Sequence, residues 1–309
     1  MENERLSSES SAKSKDFEER GVIYIALCSR RYLALCACSV QSLRWAGYEG
    51  VIRVLVDDIG VAQAAFADLN VELVQVEEPS KEEMSSRCVK TQLYDYAPWP
   101  HTLYLDCDII ALRDPTPLWN DFGAADLALA KAGYNGDYSV ADCVHGTRRE
   151  RDWTLQQGVD GAQFNGGVML WRRCPETRTF FEHWNREWQR FKDIDQLALL
   201  RALHSSKTVA QTLPRIYNCA AYSSVLSATN EGVIFLHALG GRDVDTFRAA
   251  FGTLFDEKCR LLQISRRDLK KTYYVFSLKR GSILWPLLLR AKMRRLKSRA
   301  GNLVRRLKR

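Results

Sequence analysis

The sequence predicts an α/β domain built on a mainly parallel sheet, and three observations carry the prediction. Short runs rich in Val, Ile and Leu alternate with longer segments of helical periodicity from Gly21 onward, the pattern of successive right-handed βαβ units. One such run, Leu103-Tyr104-Leu105, leads into Asp106-Cys107-Asp108 before the chain turns apolar again at Ile109-Ile110. In parallel sheets, ligands bind beyond the carboxyl ends of the strands, where this acidic pair stands. With 309 residues, 46% of them apolar, the chain can fill one large α/β domain or two smaller ones.

Taken in order, Gly21–Cys28 reads as a buried strand, Tyr32–Trp45 as a helix and Val51–Val56 as a second strand ending at Asp57-Asp58. A short helix over Val61–Leu69 and a strand over Val71–Val76 follow. A helix over Glu82–Tyr96 stops before Pro98 and leads into the strand that carries Asp106 and Asp108. Asp114–Trp119 predicts a turn or short helix and Asp126–Ala130 a strand. Residues 131–161 are polar and poorly periodic, and contain His145 and Trp153; a loop of that length is more often functional than idle. A strand over Gly167–Trp171, helices over Glu176–Phe191 and Ile194–Leu203, and a late strand over Gly232–His237 complete the domain.

Strand periodicity places the carboxylates of Asp106 and Asp108 on one side. Two anions held that close repel unless a cation sits between them. Hard oxygen ligands suit Mg²⁺ or Mn²⁺, which in turn hold phosphate oxygens, so the pair points to metal-dependent chemistry on a phosphorylated substrate. A solvated strand end would show the same two residues, and the rest of the chain has to decide between them.

The net charge of +8 hides an asymmetry. Of 45 Lys+Arg and 37 Asp+Glu, 16 and one lie from Arg266 onward (net +15), leaving 29 and 36 in residues 1–265 (net −7). A mildly acidic body thus carries a strongly basic tail. Nine cysteines are scattered without zinc-type spacing, which favours buried thiols in a reducing compartment over a disulfide scaffold. Residues 1–20 are rich in Ser, Glu and Lys, lack an apolar core segment, and read as a disordered leader rather than a secretory signal. No stretch of about 20 apolar residues is present to span a membrane. The expectation from these features is a protein on the cytoplasmic side, soluble or peripheral to a membrane.

Four features occur in order along the body: Leu105-Asp106-Cys107-Asp108, Phe164-Asn165-Gly166-Gly167-Val168, Asp195-Gln196, and His237-Ala238-Leu239-Gly240. Together they resemble the retaining GT-A glycosyltransferases of family 8, which include glycogenin and bacterial lipooligosaccharide galactosyltransferases. The resemblance implies a GT-A domain over residues 21–260, a Rossmann-like, mainly parallel sheet flanked by helices. It implies that Asp106, Asp108 and His237 hold Mn²⁺, with Mg²⁺ as the alternative; an imidazole among carboxylates moves the preference away from Ca²⁺. The ion would bind both phosphates of a nucleotide-sugar donor. Ala26, Cys28 and Tyr32 would lie against base and ribose, and Lys90 (or Arg87) would add positive charge at the phosphates. Asn165 and Gly166 would line the sugar, Asp195 and Gln196 would flank the anomeric carbon, and Gly240 with Arg242 would close on the phosphates. The chain departs from the family at Cys28, where an Asp usually meets uracil, and at Asp243, where a Lys is usual. Read without the resemblance, Asp195 is a helix cap and His237 a satisfied strand-end histidine.

Residues 261–309 mix Tyr273, Tyr274, Phe276, Trp285 and an apolar stripe with dense Lys and Arg. That composition fits a basic amphipathic segment lying on an anionic membrane; nucleic acid is the competitor, and the apolar stripe favours the membrane. The function implied is transfer of a hexose from a nucleotide-diphosphate sugar, UDP-linked, to a glycan or lipid-linked hydroxyl with retention. Two other readings compete. One is a membrane-docked sugar-nucleotide- or glycan-binding protein without catalysis. The other is a haloacid-dehalogenase-type phosphatase, whose Asp-x-Asp opens its domain with Thr or Val two residues further on; here three strands precede the pair and Ile110 follows it.

Overall fold

A computed structural model of the chain describes residues 19–77, 85–132, 139–140, 146–220, 232–239, 243–265 and 269. The chain divides into a unit of residues 1–271 and one of residues 272–309, the second lying outside the described residues. Residues 1–18 of the expected leader, the basic segment from residue 266 on apart from Leu269, His145, Gly240 and Arg242 also lie outside them, whereas Arg20, expected in the leader, opens the first strand.

Seven strands form the main sheet: β1 (Arg20–Ala26), β2 (Val51–Val56), β3 (Glu72–Gln75), β4 (His101–Leu105), β6 (Leu127–Lys131), β7 (Phe164–Arg172) and β8 (Ala210–Leu213). Their order is β3-β2-β1-β4-β7-β6-β8. All neighbours run parallel except at β7, which is antiparallel to both β4 and β6. The sheet is therefore mainly parallel, as expected.

Helices cover both faces. On one side α1 (Arg30–Trp45), α2 (Ile59–Phe66) and α10 (Thr253–Leu261) pack Leu33, Cys36, Phe66, Phe255 and Cys259 against Val22, Tyr24, Val54 and Leu105. On the other, α3 (Ser85–Lys90), α4 (Leu93–Tyr96), α7 (Pro175–Gln189) and α8 (Asp195–Ser206) pack Val89, Leu93, Phe180, Trp184 and Leu199 against Ile23, Leu55, Met169 and Trp171. Both cores are large, which is what a sheet buried on both faces requires. Leu262, Ile264 and Leu269 still pack on the first core, so the packed body continues past α10. Among the described residues, no helix is long and apolar enough to cross a membrane.

Three local expectations are corrected. The Asp pair is not on a strand: β4 ends at Leu105 and β5 (Ile109–Ala111) begins a separate three-stranded sheet with β9 (Cys219–Ala220) and β10 (Phe235–His237). Asp106–Asp108 is the turn between them, closed by the Ile109 N–H donating to the Asp106 carbonyl at 3.1 Å. The segment expected as one helix to Tyr96 breaks into α3 and α4, as Thr91 and Gln92 side chains donate to the Cys88 carbonyl at 2.7 and 3.2 Å. The expected loop over residues 131–161 contains a helix, α6 (Arg148–Gln156), capped by the Thr147 hydroxyl, which accepts the Glu150 N–H. Its buried residues are Glu150 and Thr154, and a helix whose inner face is polar shows no apolar period. The remaining helices are α5 (Thr116–Phe122) and α9 (Asp243–Phe251).

Candidate active site

The small sheet explains how residues so far apart in sequence meet. β10 pairs antiparallel with β5, setting His237 opposite Ile109, and the Ala238 N–H donates to the Asp108 carbonyl at 2.9 Å. In the turn the middle residue faces away: the Cys107 thiol is buried and donates to the Ile25 carbonyl at 3.0 Å. Both carboxylates thus face His237 although no strand period aligns them. His237 Nε2 lies 3.1 Å from Asp108 Oδ1 and 3.9 Å from Asp106 Oδ2, and one ligand atom from each residue falls within 4.8 Å of the others.

Asp106 divides its carboxylate. Oδ1 is held by Lys90 Nζ at 3.1 Å and by the Tyr104 hydroxyl, while Oδ2 is the oxygen turned toward His237. Burial, then the Asp106 charge, pushes the Tyr104 phenol well above its usual range, so it remains a donor. Lys90 also meets Asp195 Oδ2 at 3.1 Å, and Arg87 lies 3.9 Å from Asp195 Oδ1. Burial works against the charges of Lys90 and Asp195 alike, yet attraction prevails: Asp106 and then Asp195 raise Lys90, and Lys90 and then Arg87 lower Asp195. Asp195 is the first residue of α8, where the helix dipole also favours a carboxylate. The Trp184 indole N–H fixes its backbone by donating to its carbonyl at 3.2 Å.

A residue that the sequence reading passed over orients the histidine. Asn165 Oδ1 accepts the Gly167 N–H at 2.9 Å and the Asn218 Nδ2–H at 2.9 Å. That fixes the amide of Asn218, whose Oδ1 faces His237 Nδ1 at 2.8 Å. An acceptor there requires the proton on Nδ1, so the lone pair of the neutral ring is on Nε2, pointing at two carboxylates. Such an arrangement is favourable only if Nε2 is protonated or a cation stands between the three groups. Asn218 follows a short 3₁₀ turn, Arg215–Tyr217, and a single amide outside any periodic element leaves no signal in sequence. Replacing Asn218 by Ala is expected to weaken Mn²⁺ affinity 10- to 100-fold, in the range of other losses of a ligand's hydrogen-bond partner; isothermal titration of the variant checks it.

Two carboxylate oxygens and one imidazole nitrogen fit Mn²⁺ or Mg²⁺ better than Ca²⁺, and the space beside them is kept open. A Cβ on Gly167 would stand 2.4 Å from His237 Cε1 and 2.8 Å from Asp106 Oδ2. Without the ion, burial alone would lower the His237 pKa and raise that of Asp108; the attraction between them reverses both shifts. The raised histidine contributes stability that is full below pH 6.5 and lost as pH rises through its folded value. The lowered carboxyl contributes stability present above pH 3.8 and lost as pH falls. In chelator, the stability advantage of the wild-type chain over His237→Gln is therefore expected to shrink above pH 6.5. Urea unfolding across pH measures this, and an advantage that stays flat would contradict it.

Of the residues expected at a site, Lys90, Asp106, Asp108, Asn165, Gly166, Asp195 and His237 form one cluster. Gly166 is next to Lys90 and Asp195, which a Cβ there would meet at 3.4 and 3.6 Å. Gln196 follows Asp195 and is half-buried. Ala26 is buried in the core at the end of β1. Cys28, with a left-handed φ of 68°, donates its N–H to Asp57 Oδ2 at 3.1 Å. Tyr32 lies half-exposed in the first turn of α1. Ala26 ends β1, the strand next to β4, while Cys28 lies in the connection that follows it and Tyr32 in the helix beyond.

A family model described as nucleotide-diphospho-sugar transferase matches residues 101–246, the stretch that carries Asp106, Asp108, Asn165, Asp195, Asn218 and His237. No curated protein matches the chain in sequence. Among solved structures, galactosyltransferase LgtC in complex with donor and acceptor sugar analogues superposes with a TM-score of 0.54 at 18% identity, covering 79% of this chain and 95% of that one. The bifunctional glycosyltransferase WbbM gives 0.55 at 11% identity, over 82% of this chain and 51% of that one. Another LgtC structure is of an active-site mutant in which a glutamine is replaced by glutamate. The fold is thus that of the GT-A glycosyltransferases, with a mainly parallel sheet between helices, and the likeness to the family 8 enzymes drawn from the motifs holds.

Proposed function

We propose that the chain is a metal-dependent glycosyltransferase of the family 8 kind. It moves a hexose from a nucleotide-diphosphate sugar, UDP-linked, to a hydroxyl of a glycan or lipid-linked acceptor, with retention at the anomeric carbon. The observation that carries this is the convergence of Asp106, Asp108 and His237 around one point, with Nε2 turned to the carboxylates by Asn218. That donor set is assigned to Mn²⁺, or Mg²⁺ in its place. When bound, the ion neutralises charge that develops on the departing nucleoside diphosphate.

In this reading the protein groups position and compensate. Base and ribose lie beyond β1, against Ala26, Cys28 and Tyr32. Lys90 stands between Asp106 and Asp195, where its ammonium would add positive charge at the donor's phosphates on the Asp106 side, with the sugar beside Asp195. Gly240 and Arg242 are assigned to the phosphates by the resemblance alone. Asn165 and Gly166 line the sugar, and Gly166 allows it to approach the backbone closely. Asp195 and Gln196 flank the anomeric carbon; the active-site glutamine of LgtC supports that place for Gln196. The basic segment over residues 261–309 is assigned to an anionic membrane surface, and its composition is what supports that.

A donor panel with Mn²⁺, read as released nucleoside diphosphate, tests the proposal. Expected is metal-dependent turnover of at least one UDP-sugar. Tight binding of a sugar nucleotide without turnover of any donor would turn the account to the non-catalytic reading.

A further inference from the structure

Helix α6 and the two residues that follow α7 line an open groove of about 650 Å³, formed in part by Arg149, Asp152, Trp153, Gln156, Arg190 and Phe191. Its chemistry is unlike the rest of the acidic body. Arg190 stands over the Trp153 ring at 5.9 Å and Arg149 over Phe191 at 6.0 Å, while Trp153 remains 36% exposed. Arg190 also meets Glu187 at 3.3 Å, but a guanidinium has five donors, so one carboxylate does not exhaust it. Flat aromatic faces with planar amide and carboxylate neighbours suit the alternating apolar and hydroxyl faces of a sugar, and arginine forks suit a carboxylate or phosphate.

The groove is rigid and close to the active site. Arg201 of α8, 3% exposed, donates to Thr154 Oγ1 at 2.8 Å, Glu150 Oε1 at 3.0 Å and Glu187 Oε2 at 3.0 Å. One buried guanidinium thereby ties α6 and α7 to α8. Such networks are weak evidence for stability; here its effect is to fix α6 in place. The Trp188 indole N–H donates to the Asp193 carbonyl at 2.9 Å, fixing the short connection from Phe191 to Asp195. Three residues separate those two, so their Cα atoms are at most about 14 Å apart.

We propose that this groove is an acceptor subsite for a glycan that carries an anionic group, a carboxylate or a phosphate, next to the sugar whose hydroxyl reacts. The proposal rests on the transferase reading of Asp195 and deepens it. Saturation-transfer NMR on the full chain tests it with two matched pairs of probes. One is a glucuronate-containing tetrasaccharide beside its carboxyl-reduced form; the other is a phosphomonoester-bearing oligosaccharide beside its dephosphorylated form. One acidic probe or both are expected to receive saturation several-fold more strongly than the neutral partner, and the responding pair identifies the anion. Trp153→Ala and Arg149→Gln should each reduce that signal at least fivefold, while melting temperature and Mn²⁺-dependent donor hydrolysis stay unchanged. Equal saturation of acidic and neutral partners in both pairs, or a signal that survives both substitutions, would overturn the subsite. The readout needs no turnover, so absence of donor hydrolysis would count against the transferase reading and leave this result to stand or fall separately.

Discussion

Replacing Asp106 by Asn is expected to lower Mn²⁺-dependent release of nucleoside diphosphate by about a thousandfold, equivalent to about 4 kcal/mol. The substitution keeps the shape of the side chain and removes the charge that opposes His237 and, in the proposed site, the metal. It also removes one of the two carboxylates that hold Lys90, but Asp195 retains that ammonium at 3.1 Å, so the fold should persist. Tyr104 loses a charged acceptor and keeps a neutral one. Kinetics on a responsive UDP-sugar, with circular dichroism as a folding control, give the answer. A folded variant within tenfold of wild type would remove Asp106 from the metal site.

Replacing Gly167 by Ala should also be damaging, for a different reason. The added methyl would lie 2.4 Å from His237 Cε1, 2.8 Å from Asp106 Oδ2 and 2.9 Å from Asn165 Oδ1, inside contact distance of both proposed ligands and of the amide that positions Asn218. Overpacking of this kind typically costs about 1–3 kcal/mol, and either the ring or the carboxylate must move. Mn²⁺ affinity is expected to fall at least tenfold, with a lower urea midpoint. Gly166→Ala is the control next door. Its methyl would meet the end of the flexible Lys90 side chain at 3.4 Å, so the fold and metal affinity should be nearly unchanged. Equal damage from the two substitutions would mean that crowding at Gly167 has no particular link to the metal site.

What could be read from the sequence was whatever leaves a periodic or local trace. The strands β1, β2 and β7 are built on apolar runs largely buried on both faces, and they fall within three residues of where those runs predict. Asp106, Asp108, Asn165, Asp195 and His237 stand within short recurring strings, so the cluster they form was expected. The reason given for the pairing of Asp106 and Asp108 was not the operative one. A turn held by Gly167 and by Ala238, through the Asp106 N–H and the Asp108 carbonyl, aims both carboxylates, and turn geometry has no period to read. Helix α6 escaped because its inner face is Glu150 and Thr154, both bound by Arg201 from a helix distant in sequence. Asn218 escaped because it acts only through its contacts with Asn165 and His237, which exist once three separate elements have folded together.

The central claim is that Asp106, Asp108 and His237 hold the divalent ion that carries the donor's phosphates. Electron paramagnetic resonance of Mn²⁺ titrated into the full chain, with and without UDP, tests it most directly. The account predicts one saturable Mn²⁺ site, tightened by UDP, and at least tenfold weakened in both Asp108→Asn and His237→Ala. Mn²⁺ and UDP binding that is undiminished in those two variants would contradict it.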